Sequence, residues 1–128
     1  MKKKLLFICL FGLLSVTSAY AKCDGGTIVG DFCMSNNPMN WWSAATWCRA
    51  NERHLATMYE MCPDWDGNGG NGKCPHLNLG KSETIWSSTA YGKDDVWYVW
   101  LANGGAFFGS SSPRYGGRER PESWAFCK

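Results

Sequence analysis

The cysteines of this 128-residue chain constrain its fold more than any other feature. There are seven, of which Cys9 lies in an apolar run near the N-terminus; the others are Cys23, Cys33, Cys48, Cys62, Cys74 and Cys127. An even set in a short chain reads as a framework of three disulfides, each stabilising by about 2–4 kcal/mol, mainly by restricting the unfolded state. Zinc is the competing use of such a set. It is disfavoured because no Cys-x-x-Cys pair occurs, and His54 and His76 stand at no ligand spacing from the cysteines.

The compartment follows from the N-terminus. Lys2, Lys3 and Lys4 precede the apolar run Leu5 to Val16, and Ala19-Tyr20-Ala21 has the small-x-small pattern of a signal-peptidase site. Residues 1–21 are therefore expected to be a signal peptide and residues 22–128 one exported domain, periplasmic, cell-surface or extracellular. The apolar run is shorter than the roughly 20 residues that span a bilayer, so no transmembrane anchor is expected in the mature chain. Lys22 separates Ala21 from Cys23, which argues against lipidation of that cysteine. Three of the 13 basic residues leave with the leader, so ten face 11 acidic ones and the mature net charge is −1. Such a balance gives no general electrostatic footprint for nucleic acid.

Many pairings of six cysteines are possible, but local chemistry favours one. Cys23 and Cys33 bracket the Gly-rich, β-prone stretch Asp24 to Phe32, a hairpin clipped at its base. Cys62 and Cys74 bracket the turn-rich segment Pro63 to Lys73, which leaves Cys48 to join Cys127. Trp41, Ala44, Ala45 and Cys48 fall at i, i+3, i+4 and i+7, so a helix is predicted after the capping residue Asn40, with Trp42 and Trp47 off its apolar stripe. Thr57 and Glu60 have capping-box spacing for a short second helix that Pro63 ends. Gly67 to Gly80 reads as a surface loop.

The second half changes period. Trp97, Val99 and Leu101 alternate with Tyr98, Trp100 and Ala102, as in a half-buried strand, and Asn103-Gly104 or Gly104-Gly105 turns the chain into Ala106-Phe107-Phe108. Ile85 to Ser88 and Trp124 to Cys127 read as two further short strands, with an irregular segment from Gly109 to Arg120 between hairpin and end.

Together these motifs bear a family likeness. The Cys23 to Cys33 hairpin, the helix Trp42 to Cys48 followed by Leu55-Ala56-Thr57, and the terminal Ala125-Phe126-Cys127 resemble C-type-lectin-like domains across nearly the whole mature chain. Trp86-Ser87-Ser88-Thr89-Ala90-Tyr91, Val96-Trp97-Tyr98-Val99 and Gly104-Gly105 are similar to the bacterial branch, which includes Lcl-type domains and the variable proteins of diversity-generating retroelements. The resemblance implies an α+β fold, disulfide-stapled, with two helices flanking a twisted antiparallel sheet and the chain ends meeting. It does not carry over calcium-dependent sugar binding, because the Glu-Pro-Asn or Gln-Pro-Asp and Trp-Asn-Asp tripeptides of those members are missing. The family's usual second cysteine pair, in a later loop, is also absent; Cys62 and Cys74 sit earlier.

Two candidate sites remain. If Trp97, Val99 and Leu101 face the core, Tyr98 and Trp100 point the other way, joined across the hairpin by Phe107 or Phe108, with Phe108 as the candidate. Arg114, Tyr115 and Arg118 in the following segment add hydrogen bonding and charge. These residues predict a surface for a protein or glycan ligand, as in an adhesin or receptor-like module; the alternative is a structural subunit of a pilus or envelope assembly whose aromatic face a neighbour covers. Coverage of both faces by loops would instead make the rings plain core. The second candidate is Asp64-Trp65-Asp66-Gly67-Asn68, with oxygens at alternate positions as in a calcium loop. Pro75 stands where the closing glutamate belongs, so Asp64, Asp66 and Asn68 predict at most a weak calcium site, and no other cofactor is expected. Neither histidine lies near a nucleophile motif and the cysteines are expected to be oxidised, so no enzymatic activity is predicted.

Overall fold

The computed structural model describes residues 21–110 and 123–128. Strand β1 (Gly26–Val29) turns into β2 (Phe32–Met39), helix α1 (Trp41–Ala50) follows, and a one-turn helix α2 (Met58–Met61) precedes a long loop containing a 3-10 turn at Pro75–Leu77. Strands β3 (Thr84–Tyr91), β4 (Asp95–Trp100), β5 (Gly105–Ser110) and β6 (Ser123–Cys127) complete an α+β fold. They form one six-stranded sheet in the order β1-β2-β6-β3-β4-β5. Every neighbouring pair is antiparallel except β3 and β6, which meet in parallel at Ile85 and Trp124. The last strand thus lies between β2 and β3, in the interior of the sheet. Pro38 is tolerated inside β2 because β1 has ended by Ser35 and the β2–β6 register shifts between Met34 and Pro38.

Strict alternation along these strands sends side chains to two cores. On one face Met34, Ile85, Trp97, Val99 and Phe126 pack under α2 and the long loop, which contribute Met58, Met61, Trp65 and Leu77. On the other, Cys33, Trp86, Val96, Ala125 and Cys127 pack under α1 through Ala44 and Cys48. Asn40 caps α1 by accepting from the Ser43 N–H, and the Thr57–Glu60 capping box forms at α2. All three bridges follow the locally favoured pairing, Cys23–Cys33, Cys48–Cys127 and Cys62–Cys74, with Cα separations of 5.5, 5.5 and 5.4 Å. Three disulfides suit an oxidising environment. Among the described residues no helix is long and apolar enough to cross a membrane.

Polar groups in the interior find partners. Thr84 and Ser123 share a hydroxyl hydrogen bond of 2.6 Å, Ser87 Oγ donates to the Trp97 carbonyl, and the Trp41 and Trp86 indoles donate to the Ser87 and Met39 carbonyls. Among the described residues no buried side-chain nitrogen or oxygen lacks a partner. Residues near both ends of the described part of the chain are tied together by Arg53, whose guanidinium donates to the carbonyls of Lys22, Asp31 and Lys128.

The long loop also protects the sheet's outer edge. Gly70 and Ala106 exchange both backbone hydrogen bonds, at 2.8 and 2.9 Å, and the Cys74 N–H donates to Gly104. Part of the open edge of β5 is therefore paired within the chain. Gly104 lies so close to this loop that a Cβ there would stand 2.2 Å from the Cys74 carbonyl oxygen, and its φ is +68°. Gly92 shares that conformation, at φ +67°, but has open space around it. Gly92→Ala should therefore cost only the left-handed backbone, about 1–2 kcal/mol, while Gly104→Ala should cost clearly more, about 3 kcal/mol or above, because backbone must move. Urea unfolding of both variants measures the difference; equal losses would mean that the Cys74 contact is not tight.

Candidate functional site

The β4–β5 hairpin carries the candidate surface, and its register decides which rings share a side. Trp97 pairs with Phe108, Tyr98 with Phe107 and Trp100 with Gly105. Directly opposed residues lie on the same face. Tyr98, Trp100 and Phe107 therefore stand together on the α1 side of the sheet, beyond the helix, whose coverage reaches Trp86 and the edge of Tyr98. With Thr84 they line an open depression of about 280 Å³.

Each ring is held from behind. Trp86 meets Tyr98 edge-on at 6.4 Å, Phe107 lies beside Tyr98 at 6.1 Å with planes 35° apart, and the Trp100 indole donates to the Ser82 carbonyl at 3.3 Å. Trp100 is 38% exposed, so it is an outward ring with a packed edge and not a free one. Tyr98 and Phe107 are half-buried.

Phe108 requires a correction. It stands on the Trp97 face, stacked on Tyr91 at 3.8 Å and edge-on to Trp97 at 5.2 Å, so it does not share a surface with Tyr98 and Trp100. Phe107 holds that place. The two rings Phe108 and Tyr91, 44% and 43% exposed, form a separate patch at the rim of the opposite face. Arg114, Tyr115 and Arg118 lie outside the described residues, as does the expected signal peptide up to residue 20.

A second surface was not singled out from the sequence. Met39, Trp42, Ser43, Thr46, Trp47 and Ala50 line an open groove of about 520 Å³ along the outer side of α1, where Trp42 is 56% exposed. The signal was present, since Trp42 and Trp47 fall off the helix's buried stripe.

In the loop that resembles a calcium site, the Asp66 oxygens are engaged locally. Asp66 accepts from the Asn68 N–H at 2.9 Å and pairs with the Lys73 ammonium at 2.8 Å, while the Asn68 carbonyl accepts from the Trp65 indole. The Lys73 hydrogen bond, helped by the Asn68 N–H, holds the Asp66 carboxyl below its usual range. Among the described residues no group of three or more His, Cys, Asp or Glu side chains is gathered to hold a metal. His54, set aside as a catalytic residue, contacts both Glu60 oxygens, at 2.9 and 2.8 Å, on an exposed edge. Partial burial works against ionisation of Glu60, but the Thr57 N–H and His54 outweigh it and hold the carboxyl below its usual range.

No protein-family model and no curated protein matches this sequence.

Two predictions follow from these placements. Trp97 is 4% exposed and packs edge-on against Trp65, Tyr91 and Phe108. Its replacement by alanine should cost about 3–5 kcal/mol in denaturant unfolding, against about 1 kcal/mol for Trp100→Ala; a comparable loss in both would place Trp100 in the core. Because the Glu60 carboxyl is held below its unfolded value, its capping contribution is present above the ordinary carboxylate range and is lost as pH falls through the folded value. Glu60→Ala should accordingly melt below the parent at neutral pH, and the gap should close on acidification below about pH 4. A gap that is independent of pH would assign the loss to packing.

Proposed function

We propose that the chain is an exported ligand-binding module of the C-type-lectin-like kind, acting as an adhesin or receptor-like domain through the hairpin face of Tyr98, Trp100 and Phe107. Support for the fold family is the α+β architecture, the bridge from α1 to β6 and the meeting of Lys22 and Lys128 at Arg53. The observation that carries the binding role is the depression itself, in which three aromatic side chains line one open surface of a hairpin braced from behind. Rigid aromatic rings at a surface supply contact area at low entropic cost, the property of binding hot spots. The leader, the framework of disulfides and the absence of a spanning helix among the described residues fit work outside the cytoplasm. Arg114, Tyr115 and Arg118, which follow β5 in the sequence, are further candidates for ligand contact and lie outside the described residues.

The exposed Trp42 groove on α1 favours a second reading, a structural subunit that packs this helix against a neighbour. Sedimentation of the oxidised domain over a range of concentrations separates the two. A binding module stays monomeric and selects ligands on protein and glycan arrays, with Trp100→Ala weakening the strongest by about 2 kcal/mol or more, roughly 30-fold. A subunit self-associates, and Trp42→Ala abolishes the association.

A further inference from the structure

We propose that Asn71 is a self-modifying site: its side-chain amide is converted to aspartate and isoaspartate by attack of the following backbone nitrogen, with the Asn103 amide as hydrogen-bond donor to the reacting group. The sequence has three Asn-Gly steps, Asn68-Gly69, Asn71-Gly72 and Asn103-Gly104. Glycine after asparagine favours this chemistry because no Cβ shields the backbone nitrogen or restricts its rotation. Local sequence makes the three steps equivalent, and the fold separates them.

In each step the nucleophile is the nitrogen of the Asn–Gly peptide, which must turn toward the Cγ of its own asparagine. At Asn103-Gly104 that peptide is held, because the Gly104 N–H donates to the Trp100 carbonyl at 2.8 Å and Gly104 lies against the Cys74 carbonyl. At Asn68-Gly69 the peptide carbonyl accepts from the Trp65 indole at 2.9 Å, and a Cβ on Gly69 would stand 3.2 Å from the Ala106 carbonyl oxygen and 3.4 Å from the Trp97 ring. At Asn71-Gly72, among the described residues, neither the Asn71 carbonyl nor the Gly72 N–H is hydrogen-bonded. Both residues are exposed, and a Cβ on Gly72 would meet open space. This peptide is free to turn.

The Asn71 side chain is also set up for attack. Asn103 Oδ1 accepts from the Gly105 N–H at 2.7 Å, which orients that amide so that its Nδ2 donates to Asn71 Oδ1 at 3.1 Å. The donor withdraws charge from the Asn71 carbonyl and stabilises the oxyanion that develops there, as one arm of an oxyanion hole does. The Gly72 nitrogen bonds to Cγ and releases its proton to water, while Nδ2 takes up a proton and leaves as ammonia, closing a cyclic imide. Water then opens either imide carbonyl and gives aspartate or isoaspartate. The place of the product gives it a consequence, since the neighbouring Gly70 exchanges both backbone hydrogen bonds with Ala106 and covers part of the β5 edge. Isoaspartate at position 71 lengthens the main chain by a methylene beside that pairing, and either product sets a carboxylate against Asn103. Ageing of the exported protein therefore loosens the loop that braces the hairpin.

The test is ageing of the purified, oxidised protein at mildly alkaline pH, followed by peptide mapping with fragmentation that resolves aspartate from isoaspartate. Asn71 should convert at least about fivefold faster than Asn68 or Asn103, the worth of the one hydrogen bond that each of the other peptides must break. In the reduced, urea-unfolded chain the three steps should convert at comparable rates. Asn103→Asp and the uncharged Asn103→Ser both keep an acceptor for the Gly105 N–H and remove the donor to Asn71, so each should slow conversion of Asn71 about fivefold. Hydrogen exchange at Gly70 and Ala106 should quicken in the converted fraction. Earlier conversion of Asn68 or Asn103 in the folded protein, or the same ranking in the unfolded chain, overturns the site. An unchanged Asn71 rate in both Asn103 variants overturns the role of that donor, and unchanged exchange at Gly70 and Ala106 overturns the coupling to the β5 edge.

Discussion

The placement of β6 inside the sheet is the constraint on which the rest of the molecule depends. This strand comes last in the chain yet lies between β2 and β3, joining the first hairpin to the later strands. Its residues serve both cores: Phe126 stacks on Phe32 at 4.6 Å on one face, and Ala125 and Cys127 lie under α1 on the other. Cys48–Cys127 fixes the helix to this strand, and Cys33 pairs in register with Cys127, so two disulfides sit side by side beneath α1. Bridging residues 79 apart in sequence removes much of the freedom of the unfolded chain, which matters in a domain too small for a large core.

With the sheet fixed, its two faces are covered unequally. On the α2 side the helix and the long loop roof the core, with Trp65 edge-on to the buried Trp97, and leave Tyr91 and Phe108 exposed at the rim. On the other side α1 reaches Trp86 and the edge of Tyr98, and the outer hairpin extends beyond it. Among the described residues, the aromatic depression follows from a ten-residue helix that covers only part of a six-stranded sheet. The loop closed by Cys62–Cys74 completes the arrangement from the other side. By pairing Gly70 with Ala106 and docking Cys74 on Gly104 it braces the hairpin whose opposite face carries the open rings.

Some of this was legible in the sequence because it depends on local spacing. The Trp41-Ala44-Ala45-Cys48 stripe, the Thr57–Glu60 capping box, the clipped first hairpin and the alternation from Trp97 to Leu101 all follow from residues within a turn or two of each other. The side of Phe107 was legible as well. Any even-length turn pairs an even-numbered residue with an odd-numbered one, so both turns read from the sequence, like the four-residue turn observed, put Phe107 and not Phe108 beside Tyr98 and Trp100. Preferring Phe108 overlooked that parity.

What lies further apart needed the folded chain. No spacing rule shows that α1 stops short of the hairpin, that Gly105 leaves room for the Phe107 ring, or that Lys73 turns to Asp66. The sequence by itself determined the helices, the strand periods and the locally favoured cysteine pairing, because these rest on interactions between near neighbours. Only the tertiary structure decided which aromatic rings remain open to solvent, because burial depends on what segments distant in sequence happen to cover, and that is set by packing.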